Sequence, residues 1–264
     1  LAPSVLLDNK QEQMVLLYRD AFKSIEELSR TELRLGGLRI DPATNIGSRT
    51  RYYNTLKVKN LTEEDAVVKD VSGLPDSPKL ANFTWSPDQL KMAFTHTTSK
   101  GVELWVLDIQ SASVKKLTEA AINANMGDAI NWFEDSQAML VKMISSKREA
   151  LIDVGNAVPG GPTISVADGK KAQNRTYQDL LQNKNDEHNF EQLALSELYK
   201  VGVDGSSELW MGSAMYDYIS FSPNGDYIMI TKVEKPFSYL VPYYRFPSKT
   251  TIYTRGAEKV ETVL

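Results

Sequence analysis

Hydrophobic and polar residues alternate along the chain in short runs, and three of these runs share one plan. Residues 83–88 read Phe-Thr-Trp-Ser-Pro-Asp, residues 130–135 read Ile-Asn-Trp-Phe-Glu-Asp, and residues 219–224 read Ile-Ser-Phe-Ser-Pro-Asn. Each leads into a second alternating run, at Lys91-Met92-Ala93-Phe94, Ala138-Met139-Leu140-Val141 and Tyr227-Ile228-Met229-Ile230. A period of two places successive side chains on opposite faces of a strand. The Ser-Pro-Asp and Ser-Pro-Asn-Gly elements between runs predict tight hairpin turns, with Pro87 and Pro223 fixing φ and Asp88, Asn224 and Gly225 at tolerant positions. A third strand is clearest at 102–109, with a counterpart at 196–203.

Trp85 and Trp132 lie 47 residues apart, and Glu103 and Glu197 lie 94 apart, twice that distance. One unit, around 135–180, has therefore diverged. About four short strands in a period of this length predict β-propeller blades. A single twisted blade cannot bury both of its faces, and stacking against neighbours covers them. Phe83, Trp85, Ile130, Trp132, Ile219 and Phe221 are expected to fill the gaps between blades. Four or five units can be counted, and the length has room for about 5.6. The expectation is an all-β fold, a partial β-propeller of about five to six four-stranded blades belonging to a larger ring. Residues 1–264 are read as one propeller domain of a longer polypeptide. A two-layer sandwich is the competing all-β fold.

The N-terminal quarter departs from the repeat. Val5–Asn9 and Met14–Tyr18 predict the inner hairpin of a further blade. Ser24-Ile25-Glu26-Glu27 is a capping box opening a short helical insertion, with Ile25 and Leu28 on one face and Gly36-Gly37 as its end. Residues 38–42 and 45–51 read as loop, ahead of a strand at 52–60. A second, loop-rich insertion is expected over 158–191, with Pro159-Gly160-Gly161-Pro162 and a polar stretch at 183–189.

Composition narrows the function. Hydrophobic residues make up 42% and charged residues 24% of the 264, enough for a sizeable core and unlike a disordered chain. Thirty basic against 34 acidic residues leave a net charge of −4, with no basic tract longer than Lys170-Lys171. Nucleic acid is thus excluded as a partner. No apolar run approaches the roughly 20 residues of a membrane span, so no membrane insertion is expected. With no cysteine, disulfides, thiol nucleophiles and thiolate metal sites drop out together.

Chemistry-bearing residues are few. Gly205-Ser206-Ser207-Glu208-Leu209 lacks the second glycine of a nucleophile elbow and reads as a hairpin turn. His96 falls in a strand and His188 in the polar insertion, neither with a histidine partner at zinc-protease spacing. No phosphate-binding glycine loop is present. The expectation is therefore no catalytic residue, no metal and no cofactor. Glu26-Glu27 and residues 63–65 read as solvated acidic groups near helix starts, and Asp8, Asp88, Asp108 and Asp204 as turn formers. Arg49 and Arg51 are the candidate substrate-binding residues. Two guanidiniums at i and i+2 in an extended segment project to one side and can grip a carboxylate, with a rim salt bridge as the plainer reading.

The run Lys235-Pro236-Phe237-Ser238-Tyr239-Leu240-Val241-Pro242, followed by Arg245-Phe246-Pro247, resembles a signature of the non-catalytic part of prolyl oligopeptidase-type serine peptidases, closest to their glutamyl endopeptidase-like branch. Residues 27–41, from Glu27-Leu28-Ser29-Arg30 to Leu38-Arg39-Ile40-Asp41, together with Ser48-Arg49-Thr50-Arg51, are similar to that branch's first-blade insertion. The resemblance implies an N-terminal propeller that restricts peptide access to a C-terminal α/β-hydrolase domain of the same polypeptide, which carries a Ser-Asp-His triad absent here. Peptide substrates, gating by the propeller and no activity in this segment alone are what it implies. Exported bacterial relatives favour a periplasmic or secreted location over the cytoplasm. The alternative is a stand-alone propeller module that binds protein or glycan ligands.

Overall fold

The computed structural model describes residues 2–62, 64–153 and 177–263. Its strands follow the alternation read in the sequence. The first sheet starts with β1 (Ser4–Leu7) and β2 (Gln13–Tyr18). The chain then leaves it for α1 (Ile25–Leu28) and a small sheet of β3 (Leu33–Leu35), β4 (Leu38–Asp41) and β5 (Ile46–Gly47). It returns to complete the first sheet with β6 (Thr55–Asn60) and β7 (Lys69–Asp70), in the order β1-β2-β6-β7. The second sheet is a plain antiparallel meander of β8 (Leu80–Trp85), β9 (Lys91–Thr98), β10 (Gly101–Asp108) and β11 (Ser113–Lys116).

The third sheet contains β12 (Ile130–Trp132), β13 (Ala138–Ile144) and, after α2 (Lys184–Ala194), β14 (Ser196–Gly202) and the first half of β15 (Ser207–Phe221). The second half of β15 opens the fourth sheet, which continues with β16 (Tyr227–Val233), β17 (Ser248–Thr254) and β18 (Lys259–Thr262). Ser207 to Ala214 pair with β14 and Met215 to Phe221 with β16. A register shift at Tyr216/Tyr218 marks the bend between them.

Each sheet packs face to face on the next, as blades do. Val15, Leu17, Leu56 and Val58 of the first blade meet Leu80, Met92, Phe94 and Leu107 of the second. Ala93, Val102, Leu104 and Val106, from the opposite face of the second, meet Met139, Val141 and Met143 of the third. Ala138, Leu140 and Leu198 of the third pack on Tyr216, Ile219, Ile228 and Ile230 of the fourth. The period of two in β13 thus feeds two cores at once, and each fully buried Leu, Ile or Met adds about 1.5–3 kcal/mol. The architecture is a partial β-propeller. Division by length predicts five to six blades, whereas the described residues build four. The small β3–β5 sheet and the stretch between β13 and β14 account for the rest of the chain.

Three hairpin turns of the repeat close alike. Gln89, Ser136 and Gly225 each donate a backbone N–H three residues back, to Ser86, Phe133 and Ser222, at 2.8 to 3.0 Å. All three adopt positive φ. The turns also join blades: Asp88 N donates to Ser136 Oγ at 3.0 Å, and a side chain at Gly225 would press on Glu134 at 2.7 Å.

The N-terminal insertion differs from expectation in three respects. The capping box forms, Ser24 and Glu27 exchanging hydrogen bonds, but the helix ends at Leu28. Gly36-Gly37 is instead the tight turn between β3 and β4, both residues having positive φ. Residues 38–41, read as loop, are strand β4, because Leu38 and Ile40 join an apolar cluster that a single sequence window does not show. That cluster also holds Leu35, Phe190 and Leu193 of α2, and Phe237, Tyr243 and Phe246. The polar stretch 183–189 is likewise no loop: Asn183 caps α2 by accepting from Asp186 N at 3.0 Å, and its buried side begins at Asn189 and Phe190. Pro159-Gly160-Gly161-Pro162 lies outside the described residues.

Candidate functional site

Residues far apart in sequence converge on one cleft beside the first blade. Arg19 and Lys23 follow β2, Arg49 and Arg51 follow β5, and Lys79 precedes β8. Together with Phe22, Tyr52 and Tyr53 they line a cavity of about 660 Å³. A second cavity of about 590 Å³ shares Lys23, Arg49, Tyr52 and Lys79 and adds Arg30, Arg34 and Glu32. The result is one basic trough running along the insertion.

The two predicted arginines meet this trough in different states. Arg49 lies in the turn after β5 and donates from Nε to Glu32 Oε2 at 3.3 Å. Ser48 Oγ donates to the same oxygen at 2.6 Å, and Arg34 Nε donates to Oε1 at 2.9 Å. The Ser48 hydroxyl first, with the guanidiniums of Arg49 and Arg34, pushes the Glu32 carboxyl down to about 2. Arg51 stands exposed with no carboxylate partner among the described residues. The pair therefore does not grip one group jointly. One guanidinium already holds an internal carboxylate, while the other is free in the cleft. Burial pushes the Tyr52 phenol above its ordinary range, so it remains a hydroxyl at neutral pH.

The innermost strands define a second surface. Phe83, Trp85, Ile130, Trp132, Ile219 and Phe221 belong to the inter-blade cores as expected. They also frame a cavity of about 460 Å³ between β8, β12 and β15. Thr84, Asn131 and Ser220, the middle residue of each repeated triplet, line it with Asn82 and Asp128. The polar part of this wall is thus made of small amides and hydroxyls with one carboxylate, Asp128, set among the large apolar side chains. The signal was present in the repeat, where a small polar residue sits between two large apolar ones all three times.

The remaining candidates are structural. His96 is buried in β9, its Nδ1 3.2 Å from Glu103 Oε2, and Glu103 also accepts from Trp105 Nε1 and Lys116 Nζ. His188 lies on α2 rather than in a loop, its Nε2 2.9 Å from the Ala150 carbonyl. Ser206 Oγ donates to Asp204 Oδ1 at 2.6 Å within a hairpin. Asp8, Asp108 and Asp204 each accept a turn N–H at 2.7 to 2.8 Å, and Asp88 does so at 3.0 Å. Glu27 caps α1 and pairs with Lys79 at 3.2 Å. Residues 64 and 65 lie in a turn, not at a helix start. Among the described residues no group of three acidic or histidine side chains is placed to hold a metal, and no helix is long and apolar enough to cross a membrane.

One buried charged side chain escaped sequence reasoning. Lys142 interrupts the apolar run of β13 and is fully buried. Its Nζ donates to the carbonyl of Met126, with Tyr216 O at 3.4 Å. A charged residue in an otherwise apolar strand was the signal.

No family model matches the chain. A protein of Oryza sativa subsp. japonica described as "Probable glutamyl endopeptidase, chloroplastic" is 31% identical over 268 residues, covering 97% of this chain and 28% of that protein. Its Arabidopsis thaliana namesake is 29% identical over 264 residues, covering 96% of this chain and 27% of its own length. The chain thus spans little more than a quarter of the curated relatives it matches. Among solved structures, the acylaminoacyl peptidase of Pyrococcus horikoshii superposes with a TM-score of 0.49 at 16% identity, over all of this chain and 32% of that one.

Proposed function

From the premise that the chain resembles, over nearly its whole length, part of the glutamyl endopeptidase-like branch of the prolyl oligopeptidase-type serine peptidases, we propose that it is the propeller segment of such a peptidase. Its work is to govern the access of peptides to a hydrolase domain on the same polypeptide. The observation that carries this reading is the near-complete match to proteins of which it spans little more than a quarter. A wall of mixed polar and apolar side chains with a single carboxylate, Asp128, supports it, since such a surface holds no extended chain tightly while a folded protein is excluded by size.

Arg51, and Arg49 once released from Glu32, are proposed to receive an acidic side chain of the substrate. Their place in one cleft supports this, as does the description of the plant relatives as glutamyl endopeptidases. The peptidase reading is tested by labelling the full-length polypeptide with a fluorophosphonate. Failure to label would remove it. Arg49→Glu with Arg51→Glu in that polypeptide is expected to lower kcat/KM at bonds following glutamate by about 10- to 100-fold. Bonds following uncharged residues should be cleaved as before, and an unchanged profile would take both arginines off the site. We place the work outside the cytoplasm, in the periplasm or medium. Cell fractionation checks this, and the chloroplastic description of the plant relatives supports a compartment other than the cytosol.

A further inference from the structure

Three large apolar side chains stand in water at the rim of the basic trough. Phe22 is 89% exposed, Ile25 86% and Leu28 71%. Ile25 and Leu28, three residues apart in α1, share one face of it, and Phe22 stands in the bend just before the helix. Phe22 lines one cavity and Leu28 the other. None of them holds α1 in place. The helix is fixed by its capping box and by the Lys79–Glu27 pair, so the ridge brings the fold no burial of its own. Exposed apolar side chains grouped in this way mark a contact surface.

The charges beside the ridge are unbalanced in one direction. The trough gathers seven basic residues, Arg19, Lys23, Arg30, Arg34, Arg49, Arg51 and Lys79, against Asp20, Glu27, Glu32 and Asp41. All four acids are engaged already. Glu27 pairs with Lys79, Glu32 with Arg49 and Arg34, and Asp41 with Arg30 at 3.2 Å, while Asp20 accepts from Asn54 at 3.1 Å. Three cations are left without a carboxylate among the described residues. Arg19 donates only to the Asp20 carbonyl and Lys23 only to the Ser48 carbonyl, each at 3.2 Å, and Arg51 has no partner. This local excess sits on a chain whose net charge is −4.

We propose that this surface binds an extended acidic peptide that also carries a large apolar side chain. Carboxylates of the peptide meet Arg19, Lys23 and Arg51, and its apolar side chain lies along Phe22, Ile25 and Leu28. The proposal rests on the peptide-handling reading above. It adds the ligand class, an acidic and apolar stretch in place of a lone carboxylate, and the residues that select it. Opposite charge brings the chain in and sets its register, while the ridge adds the desolvated contact that slows its departure.

The test uses the full-length polypeptide with its serine nucleophile blocked by a fluorophosphonate. Fluorescence anisotropy is measured with three labelled peptides of equal length: acidic with leucine and phenylalanine, acidic with serine in their place, and the first with lysine replacing glutamate. The acidic-apolar peptide is expected to bind best, and more weakly as salt rises. Lys23→Glu with Arg51→Glu should weaken it about tenfold or more. Phe22→Ser with Ile25→Ser should do the same for that peptide and leave the serine-substituted one unaffected. Equal binding of the lysine peptide, or variants that bind as the parent does, would overturn the proposal. So would an absence of binding with the ridge shielded by another part of the polypeptide. Fluorophosphonate labelling is scored separately, so the peptidase reading survives or fails independently of the trough.

Discussion

Phe190→Ala is expected to lower the stability of the protein by about 3–5 kcal/mol. The side chain is fully buried in α2, and its ring meets Phe237 at 5.2 Å, Phe246 at 5.6 Å and Tyr243 at 6.4 Å between centroids. Gly36, at φ +58°, brings the β3–β4 turn so close that a side chain there would lie 3.3 Å from the same ring. One aromatic residue therefore holds together an insertion of the first blade, a helix of the third and a connection of the fourth. The backbone bonds between Tyr243 N and Gly36 O and between Gly37 N and Asp179 O, both 2.8 Å, also lose their support. Denaturant unfolding measures the loss, and limited proteolysis reads the release of residues 33–47. Phe22→Ala, in an exposed position, is the control and should change stability by about 0.5 kcal/mol or less. Similar values for the two substitutions would dismantle the picture of a shared aromatic keystone.

Stability that rises toward alkaline pH is the second expected result, and Lys142 is its source. Burial, opposed by the charges of Asp217 and Asp128, pushes its ammonium from 10.5 down to about 8. The unfolded chain keeps the proton up to 10.5, whereas the folded one releases it near 8. Between those values the unfolded state binds more protons, so folding gains with rising pH. The gain is complete above 10.5 and is lost as pH falls through about 8. At roughly 1.4 kcal/mol per pH unit it amounts to about 3 kcal/mol. Burial holds the Tyr216 and Tyr243 phenols above their ordinary range, so near pH 10 the unfolded chain alone begins to release those protons. The measurement is therefore a difference between the parent and Lys142→Met. From pH 7 to 10.5 the parent should gain about 3 kcal/mol on the variant. Parallel curves would show that Lys142 keeps an ordinary affinity for its proton.

The sequence carried the blades well and the insertion poorly, for a physical reason. Alternation and turn chemistry are local, so the strands at β8–β10, β13 and β16 and the turns at 86–89 and 222–225 could be read directly. The capping box at Ser24 is local too, and it formed. Gly36-Gly37 was misplaced because a glycine pair signals a left-handed turn without saying what precedes it. Strand β4 and helix α2 owe their existence to each other through Leu38, Ile40 and Phe190, which lie some 150 residues apart, beyond any window of periodicity. At the trough, the pair at Arg49 and Arg51 was visible from its spacing. Arg19, Lys23 and Lys79 were not, since only the folding of the first blade brings the three segments together. Glu32, which occupies Arg49, lies in the insertion and carried no signal of its own.

The shared strand β15 makes the seams of this arc unequal. Between the first and second blades, and between the second and third, the chain crosses through irregular segments joined by isolated bridges such as Tyr53 with Leu80 and Ile122 with Met143. Between the third and fourth blades one strand, β15, runs through, pairing with β14 up to Ala214 and with β16 from Met215. Any breathing of the propeller should therefore leave these two blades swinging as one rigid wing, with the hinge lines falling on either side of the second blade.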